Sequence, residues 1–119
     1  MAEPLVFDTA VDLATETATQ TFDGHKHGVE ASFMLVHMEP GRGPSLHRHA
    51  YPEVFIVASG EATFTVDGAE VVARGGATVV VPAGAAHRFE NTGTETLELT
   101  SIQPVAQMKT EWLRDTVDS

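Results

Sequence analysis

The sequence predicts an all-β protein, an antiparallel sandwich or barrel with minor helix. Three observations carry this expectation. Short apolar or alternating runs recur about every 8–12 residues. Turn chemistry rich in Gly, Pro, Asn and Asp separates them. The chain has 119 residues, enough for one core and too few for two.

In chain order, residues 1–30 read as an N-terminal arm and turn-rich lead-in. Asp8–Ala14 could turn once as a helix, but the threonines that follow disfavour a long one, and a loose arm or edge strand is the expectation. Gly24 and Gly28 break the next stretch, where His25, Lys26, His27 and Glu30 read as a solvated loop, with a second metal or adventitious nickel site as the rival reading. Ala31–Met38 is a strand, apolar on both faces. Phe33, Leu35 and His37 share one face, and Met34, Val36 and Met38 the other. His37 is open to two readings, a pocket residue or a hydrogen-bonded core histidine.

Residues 45–49 and 53–59 make two further strands. Ala62–Val66 alternates, with Ala62, Phe64 and Val66 inward, and Asp67-Gly68 signals a two-residue hairpin to Glu70–Ala73. Ala77–Val81, His87–Glu90 and Leu97–Ile102 complete the set, so a barrel is expected over 31–104. Met108, Trp112 and Leu113 in the tail, 105–119, are spaced for a turn or two of helix. No linker or repeat divides the chain, and one domain over 1–119 is expected.

Composition excludes several functions. The absence of cysteine removes disulfides, thiolate zinc sites, iron–sulfur clusters and a cysteine nucleophile. A net charge of −10 with scattered arginines suits neither nucleic acid nor an anionic membrane. No secretory signal or membrane span is legible, and a soluble cytoplasmic protein is expected.

The chemistry gathers in Gly41–Gly60. His47 and His49 alternate along a strand, roughly 7 Å apart at the backbone, and so share a face. Glu53 follows as a hard oxygen ligand and His87 supplies a third imidazole. Three imidazoles and a carboxylate suit one divalent transition ion, Fe, Mn, Ni, Co or Zn, rather than Ca or Mg. By strand parity, Ser45, Phe55, Val57 and Phe89 join the ligands as pocket wall. Tyr51, in the loop between ligands, is either a proton donor to substrate or a rim residue. Neither a metalloprotease helix motif nor a nucleophile elbow is present.

Two linked patterns then resemble the cupin signature. Gly41, His47, His49, Glu53 and Gly60 match its first half, and Gly76, Pro82, Gly84, His87 and Asn91 its second. The short gap between them resembles that of small single-domain bacterial cupins. The resemblance implies a jelly-roll, or double-stranded β-helix, barrel with a metal near its axis on His47, His49, Glu53 and His87. It implies a metal-dependent enzyme on a small organic molecule, with oxygenase chemistry first and isomerase or lyase chemistry behind it. A non-catalytic module that binds or senses a metabolite through the metal is the rival reading. Related small cupins often carry a histidine where this chain has Gln103, so chemistry that needs that histidine is not carried over. Strands apolar on both faces lead to the expectation of a homodimer.

Overall fold

The computed structural model describes residues 3–17 and 19–114. Among the described residues ten strands build two five-stranded antiparallel sheets, and helix is confined to one turn, α1 (Thr9–Asp12), and a 3-10 turn at Gly24–His27. The strands are β1 (Thr19–Phe22), β2 (Ser32–Met38), β3 (His47–Arg48), β4 (Glu53–Ser59) and β5 (Glu61–Val66). They continue as β6 (Ala69–Arg74), β7 (Thr78–Val81), β8 (His87–Asn91), β9 (Leu97–Gln103) and β10 (Glu111–Trp112). One sheet runs β1-β2-β9-β4-β7 and the other β10-β3-β8-β5-β6. This is the all-β jelly-roll barrel.

The core lies between the sheets. Phe55, Val57, Leu97 and Leu99 enter from the first, and Ala62, Phe64 and Phe89 from the second. Period-2 alternation causes this: Leu97, Leu99, Ser101 and Gln103 on β9 are buried while Glu98 between them is exposed. Phe55 touches Phe64 and Phe89 at ring-centroid distances of 5.0 and 5.6 Å. The β5–β6 hairpin turns at Asp67 and Gly68, both at positive φ (46° and 85°), as a right-twisted two-residue loop requires.

The structure differs from the sequence reading at both ends. Strand β1 runs into the stretch read as turns, because Thr19–Phe22 pairs in register with Phe33–Val36 of β2. His27 is not simply solvated, since its ring packs against Phe7 and Phe22 at 4.8 and 5.2 Å. The tail has no helix among its described residues. Glu111 and Trp112 pair instead with Arg48 and His47 as β10, so the sheets span 19–112 rather than 31–104. Residues 115–119 of the expected tail lie outside the described ones.

The two faces of β2 are also settled. Val36 belongs to the core, with Met34 and Met38 packed on it. His37 is on the other face of β2, half-exposed beside its register partner Glu98 on β9, and it still contributes to the lining of the cavity described below. No helix among the described residues is long and apolar enough to cross a membrane.

Candidate metal centre

Four side chains converge where the two sheets approach at one end of the barrel. His47 on β3, His49 just beyond it, Glu53 opening β4 and His87 opening β8 are all buried. Their ligand atoms lie within 4.8 Å of one another. His47 and His87 are direct cross-strand partners, with rings 4.3 Å apart. The turn before β8 is held by the Gly84 N–H, which donates to the His49 carbonyl at 2.8 Å. That bond ties the second half of the sequence pattern to the first.

Backbone carbonyls hold the outer nitrogen of every imidazole. Nδ1 of His47 donates to Ser45 O (2.7 Å), Nδ1 of His49 to Lys109 O (2.8 Å) and Nδ1 of His87 to Ala85 O (2.9 Å). A neutral ring that donates through Nδ1 carries a bare lone pair at Nε2. Nε2 of His49 and of His87 lie 3.1 and 3.0 Å from the same oxygen of Glu53, Oε1. Lone pairs facing a carboxylate repel unless a cation stands among them. Nε2 of His49 is buried without a hydrogen-bond partner despite that short approach. These are the properties of a metal ligand set whose tautomers are fixed from behind. The donors, three imidazoles and one carboxylate, fit a first-row divalent ion.

The other Glu53 oxygen, Oε2, is anchored from β9. It accepts from the Ser101 hydroxyl and, at 3.4 Å, from Gln103 Nε2. Gln103 Oε1 in turn accepts from the Tyr51 hydroxyl. Burial alone would raise the Glu53 carboxyl. The close imidazoles of His49 and His87 and the Ser101 hydroxyl outweigh it and bring the group down to about 2. Burial lowers the His47 imidazole, and the neighbouring His87 and His49 add to this. For His49, burial is overcome by the Glu53 carboxylate and the Lys109 carbonyl, which hold it above its ordinary value.

A cavity of about 870 Å³ opens over the cluster. His47, His49 and Glu53 form its base, and Met34, Val36, Met38, Phe55 and Phe89 contribute an apolar wall. His87 lies beneath the lining residues. Trp112 covers the His47 ring at 5.1 Å, and Arg42 is the single Arg or Lys on the lining.

Among the expected wall residues, Phe55 and Phe89 line the cavity and two others do not. Val57 is 1% exposed and packs deeper in the core. Ser45 is exposed and acts through its carbonyl on His47, because the chain before β3 is too irregular for strand parity to hold. Tyr51 stacks on the His49 ring at 5.0 Å, and burial raises its hydroxyl. That hydroxyl is already engaged, donating to Gln103 and accepting from the Lys109 N–H at 3.0 Å. His37 is outside the ligand cluster, yet it contributes to the lining of the cavity. Its Nδ1 and Nε2 each lie 3.0 Å from a side-chain oxygen, of Glu98 and Gln20 respectively.

Sequence reasoning did not place Ser101, Trp112 or the Lys109 carbonyl at the site, and it marked Gln103 only as the position where relatives often have a histidine. Ser101 and Gln103 had a signal: polar residues at the inward parity of Leu97 and Leu99 must find a buried partner. The Lys109 carbonyl had none, since any residue type supplies one.

Comparison with known proteins agrees with this geometry. Residues 34–103 match the profile of the cupin domain. Three solved structures of oxalate decarboxylase, the first of them the Bacillus subtilis enzyme, are similar at 28% identity, each covering 80% of this chain. One concerns the enzyme's Mn(II) centres (TM-score 0.72), one its substrate binding mode and reaction-specificity switch (0.71), and one its proton-coupled electron transfer (0.72). The match spans 27% of that enzyme's chain. No curated relative matches.

Proposed function

Because the chain belongs to the cupin domain family, matched over residues 34–103, we propose that it is a metal-dependent enzyme acting on a small organic acid. The observation that carries this reading is the orphaned Nε2 of His49, buried among two further imidazoles and a carboxylate at the base of an apolar cavity. His47, His49, Glu53 and His87 would hold the ion. Bound there, it would supply Lewis acidity or dioxygen activation.

The chain's own residues do the rest. The Ser45, Lys109 and Ala85 carbonyls keep the three Nδ1 atoms protonated and the Nε2 atoms free. Ser101 and Gln103 occupy Glu53 Oε2 and leave Oε1 toward the histidines. Met34, Met38 and Phe89 exclude water from the cavity. Arg42, at the wall, would orient an anionic group.

Oxygenase chemistry is the reaction class of this proposal. Support comes from the protonation inventory: Tyr51 is not on the cavity lining and its hydroxyl is committed to Gln103 and Lys109, while His37, the lining imidazole outside the ligand set, is held by Glu98 and Gln20. A carbon–carbon lyase is the second reading, favoured by the likeness to oxalate decarboxylase. Incubation of Fe- or Mn-loaded protein with a panel of small mono- and dicarboxylates, with and without oxygen, tests both. Oxygen-dependent product supports the first reading, and carbon dioxide release without net oxygen uptake supports the second. Ligand binding with no product under either atmosphere overturns the enzyme assignment in favour of a metabolite-sensing module.

A further inference from the structure

The cavity over the ligand cluster is long, and its two ends are chemically unlike. Strand β8 measures its length. His87, a member of the cluster, opens that strand and Asn91 closes it. The residue steps between them span roughly 14 Å. At the far end Asn91 ties the two sides of the cavity together. Its N–H donates to the Arg42 carbonyl at 2.9 Å, and its Nδ2 donates to the Met38 carbonyl at 2.8 Å. Strand β2 runs the same length on the opposite sheet. Met34 is level with Ser101, which bonds Glu53, and Met38 is level with Leu97. Met34, Val36 and Met38 on one side and Phe89 on the other line the span, and Arg42 lines the far end.

Arg42 has no partner of its own there. Arg48 and Arg74 pair with Glu111 and Glu61, whereas the Arg42 side chain makes no ion pair among the described residues. Acidic residues outnumber basic ones by 17 to 7 in this chain, so an unpaired arginine on a cavity wall is a place left open for an anion. Glu39 lines the same end, but the Thr96 hydroxyl already donates to its carboxylate at 3.4 Å. We propose that the ligand of this cavity is a medium-chain dicarboxylate, with one carboxylate at the metal ligand cluster and the other on Arg42. The proposal rests on the metal-dependent reading of the site and names the substrate class for it. The arginine side chain takes up part of the span. In a zigzag of carbon–carbon bonds of about 1.5 Å, roughly six to ten carbons bridge the rest.

Acids of other shapes leave part of this lining unmet. Ethanedioate and butanedioate are too short to touch both ends. Octanoate covers the wall but leaves Arg42 bare. A sugar acid of the same length sets hydroxyls against Met34, Val36, Met38 and Phe89, which offer them no hydrogen bonds. Methylenes suit that wall, and each one buried there tightens binding by up to about fourfold.

Calorimetric titration of Mn(II)-loaded protein without oxygen, using straight-chain dicarboxylates from ethanedioate to dodecanedioate, tests it. Affinity is expected to rise by about two- to fourfold per methylene as far as octanedioate and to stop rising beyond decanedioate. Octanedioate should bind at least about tenfold more tightly than butanedioate or octanoate. Arg42 is exposed, so Arg42→Ala folds. It should lower octanedioate affinity by about tenfold and leave octanoate unchanged. Tightest binding by ethanedioate or butanedioate overturns the proposal, as does an Arg42→Ala variant that binds octanedioate like wild type. Product analysis, with and without oxygen, separates this from the enzyme assignment. Length-ordered binding with no product keeps the ligand class and removes the enzyme. Turnover of butanedioate with no preference for longer chains keeps the enzyme and removes the ligand class.

Discussion

The Lys109 carbonyl accepts the Nδ1 proton of His49 across sixty residues of sequence, at 2.8 Å. The segment that carries it is a strap. Glu111 and Trp112 pair with β3, the Leu113 N–H donates to Leu46 O at 3.0 Å, and Arg48 forks onto both oxygens of Glu111 at 3.0 Å. The Arg48–Glu111 pair is exposed and contributes little to stability. What the strap does is fix the face that His49 turns toward the ion.

Tyr51 connects that strap to the barrel, since its hydroxyl accepts from the Lys109 N–H and donates to Gln103. Tyr51→Phe keeps the ring stacked on His49 and removes both bonds. Groups behind a metal ligand tune affinity by about 10–100-fold, so a loss of roughly tenfold is expected. Chelator competition followed by metal analysis measures it. Unchanged affinity would mean that the strap plays no part in tuning the centre.

Metal should stabilise the fold as well as occupy it, because the lone pairs it joins otherwise repel. At a hundredfold excess over Kd, linkage gives about 2.7 kcal/mol. For a chain of this size that raises Tm by about 10 °C. Differential scanning calorimetry of metal-free and metal-loaded protein reads the shift. In His87→Ala the shift should vanish, and a shift that persists there would place the metal elsewhere.

The metal-free protein should weaken in acid through Glu53. Its carboxyl sits at about 2 in the folded chain against an ordinary 4.5. The folded state thus binds the proton less readily than the unfolded one. Stability from the carboxylate is complete above about 4.5 and is lost as pH falls toward 2, a change of about 3 kcal/mol. His47, lowered by burial, adds a loss of the same sign that begins below 6.5. Urea unfolding across this range should give a flatter profile for Glu53→Gln than for wild type between pH 4.5 and 2. Identical slopes would show that Glu53 does not carry the dependence.

Asn91 closes the second half of the sequence pattern without touching the metal cluster. Its Nδ2 donates to Met38 O and Glu95 O, each at 2.8 Å, and its Oδ1 accepts from the Gly93 N–H at 2.9 Å. Asn91→Ala leaves buried backbone groups unpaired, at about 2–4 kcal/mol. Chemical denaturation should show that loss while metal stoichiometry stays at the wild-type value. Loss of metal with stability intact would give Asn91 a role at the centre instead.

The strands and the four converging side chains were legible because both are written locally. Alternation in Ala62–Val66 and Leu97–Ile102 assigns faces, and the spacing from Gly41 to Gly60 and from Gly76 to Asn91 places the ligands. Where the chain leaves regular structure, parity fails, as at Ser45. On β2 both faces are apolar, so pattern could not tell Val36, which turns into the core, from His37 on the other face. The tail misled for a different reason. Met108, Trp112 and Leu113 fit a helical period, but an unpaired β3 edge offered Glu111 and Trp112 backbone partners that no local pattern encodes. Gly43 was passed over too. A Cβ there would lie 1.9 Å from the Phe89 carbonyl oxygen, a closeness visible only once β8 is in place.

The sheet order has a consequence for a chain that emerges from the ribosome one end first. All four ligand side chains are synthesised by residue 87, yet β9, the central strand of the sheet that carries Glu53, begins at Leu97 and joins β2 to β4. Until β9 appears, the β5–β6 hairpin is a local unit, while β2 waits for a neighbour that pairs Phe33 with Ile102. Glu53 waits with it for Ser101, and His49 waits longer still for Lys109. The order of translation thus makes the metal centre a late product, completed from the last quarter of the chain backward.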